Sequence, residues 1–304
     1  MLVTKRNSYA ETFDLCGIDT LSGYIPRELS TAELQNSANF NKFYFDKKKQ
    51  QTYVLINPNK NTASAERLIT SYSEFIEKLA TIMQGIGASL DELRIVRADF
   101  CINSTDIFSY GAFGKLHKAL ILCLAECYAV KNCYNTFDLW TGASISVAIK
   151  ADAFEVENYD KRHQSEGQDE SANRLELRAK RIDGGDIQEQ FMLRWHNRLD
   201  RAKDCFVQMQ EHINSELSKI YIEDLKKPQK DKDFISLTAF LLRYKNDIFT
   251  RKQLIDLLTK IGINNAEHRA DKFKECHRIE YFSQKDLDFV VRCIKEKISK
   301  YFNK

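Results

Sequence analysis

Residues 93–104 read LRIVRADFCINS. Ile95, Arg97, Asp99 and Cys101 alternate there with Val96, Ala98, Phe100 and Ile102, the two-residue period of a strand with one polar and one apolar face. Three more strand-like segments follow the helical stretch YGAFGKLHKALILCLAECYAVK at 110–131: SISVAIKA at 144–151, AFEVENYDK at 153–161 and NRLELRAKRI at 173–182. In the second, Phe154, Val156 and Asn158 oppose Glu155, Glu157 and Tyr159; in the third, Leu175 and Leu177 oppose Arg174, Glu176 and Arg178. The polar tract RHQSEGQDESA at 162–172 reads as the exposed loop of a hairpin.

On the N-terminal side, NKFYFDKKKQQTYVLINPN at 41–59 places β-branched and aromatic residues on both sides of a polar tract, which predicts a hairpin closing at Pro58. ASAERLITSYSEFIEKLATIMQGIG at 63–87 carries Leu68, Ile69, Tyr72, Phe75, Ile76 and Leu79 at helical spacing and stops at Gly85 and Gly87. A long helix is predicted over 185–224, with Phe191, Trp195 and Leu199 among its apolar residues. The fold class that follows is α+β: an antiparallel sheet with packed helices over residues 1–225. A C-terminal all-helical or winged-helix-like unit is expected over 230–304.

The 304 residues include 43% hydrophobic and 29% charged residues but only 3 Pro and 11 Gly, which excludes collagen-like, Pro-rich and disordered classes. No apolar run approaches the roughly 20 residues that span a bilayer, and the N-terminus lacks an apolar signal core. A cytoplasmic protein with no membrane partner is the expectation. Eight cysteines without a Cys-x-x-Cys pair argue for reduced thiols, with Cys123 and Cys127 in a core.

The net charge of +3 divides unevenly. Residues 230–304 hold 17 Lys and Arg against 11 Asp and Glu, and the preceding residues hold 29 against 32. A basic helical segment suits a polyanion. Its helix, short turn, helix order resembles a helix-turn-helix, whose second helix would present His268, Arg269, Lys272 and Lys274 to DNA. Any small helical domain also has short turns and a charged outer face. The last helix begins at a capping-box pair, Ser283 and Asp286.

Several chemistries lack their motifs. There is no Gly-x-Gly-x-x-Gly, Walker loop, Gly-x-Ser-x-Gly elbow or His-Glu-x-x-His, so nucleotide-cradling, serine-hydrolase and zinc-protease readings fall away. What remains is a set of acids and a tyrosine on adjacent strands: Asp99, Glu155, Glu157, Glu176 and Tyr159. Mid-strand acids are costly unless they bind something, and hard oxygen donors suit Mg²⁺ or Mn²⁺. The alternative is a sheet with one polar face, where Glu176 pairs with Arg174 or Arg178 and Asp99 with Arg97 or a neighbour.

RADF at 97–100, NYDK at 158–161 and RLELR at 174–178, in that order, resemble the rolling-circle replication initiators and replication-initiation-factor type relaxases of Gram-positive plasmids, phages and mobile elements. The resemblance implies a DNA-nicking endonuclease, in which a tyrosine attacks a phosphodiester beside a divalent metal, Mg²⁺ or Mn²⁺. It nominates Tyr159 as nucleophile, Lys161 to offset phosphate charge, and Asp99, Glu176 and Glu157 as metal ligands, with Glu155 and His163 as further candidates. LWTGAS at 139–144 has Trp140 where relatives carry a tyrosine, and Tyr134 is the second candidate nucleophile. Implied partners are origin DNA and the single strand at the nick, with a host helicase and a second copy of the chain as further candidates. The rival expectation is a non-catalytic DNA-binding initiator or transcriptional regulator.

Overall fold

The computed structural model describes residues 9, 11–35, 37–60, 68–106, 109–131, 133–137, 144–161, 173–182, 186–208, 211 and 283–303, with isolated positions between 252 and 271. The expected strands at 93–104, 144–151, 153–161 and 173–182 are present as β4 (Arg94–Ser104), β6 (Ser144–Lys150), β7 (Phe154–Tyr159) and β8 (Asn173–Lys180). The expected hairpin forms β2 (Phe40–Asp46) and β3 (Gln51–Ile56). Two further strands, β1 (Leu15–Ile25) and β5 (Cys133–Phe137), complete an eight-stranded sheet in the order β2-β3-β1-β4-β8-β7-β6-β5. Every neighbouring pair is antiparallel.

β1 joins the two halves of the sheet, pairing with β3 on one side and β4 on the other. Two glycines let it sit there. A Cβ on Gly17 would lie 2.2 Å from the Ile69 carbonyl oxygen, and one on Gly23 would lie 2.6 Å from the Arg94 carbonyl oxygen. Backbone approaches of that kind exclude any side chain.

One face of the sheet is apolar and carries the helices. Ala98, Phe100 and Ile102 of β4, Leu175 and Leu177 of β8, and Phe154 and Val156 of β7 are buried against α3 (Ser109–Cys127), α4 (Ile187–Asp204) and α5 (Gln284–Phe302). Burying each Phe, Leu, Ile or Val of that set contributes about 1.5–3 kcal/mol. A π-turn at Gln190–Trp195 widens α4 where Phe191 and Trp195 enter the core. The Trp195 ring meets Phe154 edge-on at 5.5 Å.

Two helical expectations change. After a short α1 (Thr31–Gln35), α2 runs Tyr72–Gln84, so Leu68 and Ile69 precede it. Ser71 is in an extended conformation and its side chain accepts a hydrogen bond from the Glu74 amide, which sets the start there. The C-terminal helix α5 begins at the expected pair, with the Ser283 amide donating to Asp286 Oδ2 at 2.9 Å. It does not stand apart from the sheet. Its stripe Leu287, Val290, Val291, Ile294, Ile298, Tyr301 and Phe302 is buried, and Tyr301 and Phe302 pack on Phe100 at 5.4 and 6.1 Å. Residues 284–302 of the expected 230–304 unit are therefore part of the sheet's core, because that stripe is too apolar to face water. The 225–230 boundary and the helix-turn-helix with Arg269, Lys272 and Lys274 lie outside the described residues; His268 is exposed in a short helical stretch.

Candidate functional site on the polar face of the sheet

The opposite face of β4, β8 and β7 is built from rows of charged side chains. In one row Thr20, Asp99, Arg178 and Glu155 are successive cross-strand partners; the next holds Cys101, Glu176 and Glu157; the third holds Asn103, Arg174, Tyr159 and Ser146. The sheet thus assembles the three motifs RADF, NYDK and RLELR on three adjacent strands. Asp99, Glu176, Arg174 and Tyr159 are between 2% and 6% exposed, so each polar atom needs a partner.

Arg178 is the hub. Its guanidinium donates from Nη1 to Glu155 at 3.1 Å, from Nη2 to Glu157 at 2.9 Å, and from Nε to Glu176 at 3.0 Å, with a second, short contact from Nη2 to the same Glu176 oxygen. Asp99 Oδ2 lies 3.9 Å from Arg178 Nε, but its close partners are Arg97, which forks onto both oxygens at 2.8 and 2.6 Å, and the Thr20 hydroxyl at 2.8 Å. Lys180 holds Glu155 at 2.9 Å, and the Ser146 hydroxyl holds Glu157 at 3.1 Å. Arg174 donates to Asn103 at 2.9 Å and pairs with Asp19 at 3.3 Å.

These contacts set the protonation states. Burial opposes the charge on Arg178, yet Glu176, Asp99 and Glu157 hold it more firmly protonated than an ordinary arginine. Burial also works against the Glu155 carboxylate, but Lys180 and Arg178 outweigh it and keep that carboxyl below its usual range. Asp99 goes the other way: burial pushes its carboxyl up against the pull of Arg97. Tyr159 donates to Glu176 Oε1 at 3.3 Å, and burial followed by the Glu176 charge raises its hydroxyl well above the tyrosine range.

The nominated ligands Asp99, Glu157 and Glu176 are brought together, but around a guanidinium. Among the described residues no group of three or more His, Cys, Asp or Glu side chains is arranged to hold a metal ion. Each of the three carboxylates already has a cationic partner, so as arranged they do not fit Mg²⁺ or Mn²⁺; an ion there would have to displace Arg178. Lys161 lies two residues past the end of β7, half-buried, with its charge reaching Cys101. Tyr134 lies on edge strand β5 opposite Ala148, in the cross-strand row of Glu157. His163 and Trp140 are outside the described residues.

Sequence reasoning missed Asp19 and Thr20, because β1 was not read as a strand. The signal available was Thr20 and Ser22 alternating with Leu21 and Gly23.

No family model matches the chain, and no curated protein matches it. Among solved structures, a rolling circle replication initiator protein from Geobacillus stearothermophilus is 12% identical over 67% of this chain and 84% of its own, with a TM-score of 0.31. A likeness that loose places no residue and carries no functional weight. No helix among the described residues is long and apolar enough to cross a membrane.

Proposed function

We propose that the chain is a replication initiator of a plasmid, phage or integrated mobile element, which binds an origin and opens one DNA strand at Tyr159. The observation supporting this is the convergence of the three motifs of residues 97–100, 158–161 and 174–178 on one face of three neighbouring strands, with Tyr159 bonded to Glu176. In the nicking step the Tyr159 oxygen attacks phosphorus and its proton passes to Glu176. The bond from phosphorus to the 3′ oxygen breaks, leaving a 5′-phosphotyrosine and a 3′-oxygen that takes up a proton from water. Lys161 and Arg174 would offset the phosphate charge.

A second reading, a non-catalytic origin-binding initiator or regulator, is favoured by one specific feature. Each nominated acid is bonded to a basic side chain, and Tyr159 is buried with its hydroxyl hard to ionise.

The two separate on a supercoiled plasmid carrying the DNA that adjoins the gene, incubated with full-length protein and Mg²⁺ or Mn²⁺, and in parallel with chelator. Nicking requires open-circular product and a covalent peptide adduct mapping to Tyr159, both lost in Tyr159→Phe. Salt-sensitive binding without an adduct supports the second reading. No binding even at low salt sinks both.

A further inference from the structure

A second feature of the same sheet surface lies well away from Tyr159. Tyr24, Tyr53 and Tyr44 stand directly opposite one another across β1, β3 and β2, and Arg94 of β4 is the next partner in that row. On β3, Thr52, Val54 and Ile56 turn into the core, so Tyr53 faces the other way. Tyr44 stacks on Tyr53 at 4.9 Å with 24° between the rings, and Tyr53 meets Tyr24 at 5.4 Å. Tyr44 is 46% exposed, one of the few large apolar side chains among the described residues to be so.

Basic residues lie on the same strands and in the turn that joins β2 to β3. Lys42, Lys47, Lys48, Lys49 and Arg94 are all exposed, and Lys49 Nζ lies 5.9 Å from the centre of the Tyr24 ring. The only acid in the hairpin, Asp46, is engaged in its turn, accepting from the amides of Lys48 and Lys49 at 3.0 and 3.2 Å. Cross-strand aromatic packing accounts for the pairing of the rings. It does not account for an exposed ring at the end of the row, on a strand that leads into a turn carrying Lys47, Lys48 and Lys49.

Polyanions whose repeating unit also carries a flat aromatic face meet both requirements. We propose that Tyr44, Tyr53 and Tyr24 form a stacking platform for single-stranded DNA, with Lys42, Lys47–Lys49 and Arg94 contacting its phosphates. Bases stack on aromatic side chains without sequence preference, and lysines track the backbone. Duplex DNA hides its base faces and would gain only the charge contacts. The choice of DNA over RNA rests on the function proposed above; the stacking and charge do not. Along β4 the platform row meets Arg94 and the Tyr159 row meets Asn103, a separation of roughly 30 Å at about 3.4 Å per residue. The platform would therefore hold strand several nucleotides from Tyr159.

The test uses full-length protein and fluorescein-labelled oligo(dT), read by anisotropy over a salt series. Tyr44→Ala should weaken binding by about 5- to 150-fold, the loss of one stacked base, while Tyr44→Phe keeps the ring face and stays near the parent. Replacing Lys47, Lys48 and Lys49 by Gln should flatten the salt dependence, by about 0.7 in log–log slope for each phosphate left without its lysine. Far-UV circular dichroism and the urea midpoint check that each variant folds. Unchanged affinity in folded Tyr44→Ala, or an unchanged salt slope in the lysine variant, overturns the platform. If such a result accompanies origin nicking or binding by the parent, the proposed function survives alone. If the parent binds oligo(dT) as expected but ignores origin DNA, the platform survives alone. Strong preference for oligo(rU) over oligo(dT) overturns the assignment to DNA.

Discussion

Replacing Arg178 by Met removes the cation at the centre of the polar face while keeping most of the side chain's volume. Arg178 is bonded to Glu155, Glu157 and Glu176, and its side chain is only 16% exposed. Removing one partner of a buried ion pair costs about 3–5 kcal/mol, because the other charge stays behind without compensation. Against a domain stability of about 5–15 kcal/mol, the loss at neutral pH is about a fifth or more. The penalty comes from stranded carboxylates, so protonation relieves it, and the gap between parent and variant should narrow as pH falls from 7 toward about 4. Urea unfolding followed by the fluorescence of buried Trp195 measures it at each pH. Adding Glu157→Gln and Glu176→Gln to the variant should recover much of the loss, since the three charges form one network. A loss below about 1 kcal/mol, the level of a surface ion pair, or one that does not vary with pH, would refute the idea that Arg178 neutralises this cluster. The same variant probes the metal expectation: Mn²⁺ should raise its urea midpoint and leave the parent unchanged if the freed acids can hold a divalent ion.

Two further outcomes follow from the packing. Gly17→Ala puts a methyl group 2.2 Å from the Ile69 carbonyl, so β1 or the segment before α2 must move, at a cost on the order of 3 kcal/mol in thermal or urea unfolding; a stability equal to the parent's contradicts the close approach. His117 is fully buried beside the Tyr9 hydroxyl at 2.7 Å, and burial lowers its pKa from 6.5 to about 3. Its ring is neutral in the fold and protonates more readily in the unfolded chain. Stability is therefore complete above about pH 6.5 and falls by up to about 1.4 kcal/mol per pH unit as pH drops from there toward 3. His117→Gln should flatten that part of the profile, and an unaltered slope between pH 6 and 4 counts against it.

Alternation made β4, β7 and β8 legible, because a strand with one buried face writes a two-residue period into its own sequence. The acids of their polar faces were legible for the same reason. β1 was not, since Gly17, Asp19, Ser22 and Gly23 dilute its pattern and two register shifts interrupt its pairing with β4. The start of α2 was misplaced because Leu68 and Ile69 continue the helical spacing, whereas Ser71 sets the boundary by bonding the Glu74 amide. Both partnerings of the acids, with a cation or with neighbouring arginines, were open from composition and spacing. Register supplies the arginine partner by placing Arg178 opposite Asp99 on one side and Glu155 on the other.

By itself, then, the sequence determined an α+β chain with an antiparallel sheet, the faces of its central strands, and a polar surface holding Asp99, Glu157, Glu176 and Tyr159. These are local properties, set by periodicity over a few residues. Tertiary structure alone decided that Glu155, Glu157 and Glu176 close on Arg178, that Tyr301 and Phe302 return from the end of the chain to pack on Phe100, and that Tyr24, Tyr44 and Tyr53 line up across three strands. Each of these depends on which strand lies beside which, in which register. Pairing of that kind is chosen by the burial of the whole apolar face, and no single segment encodes it.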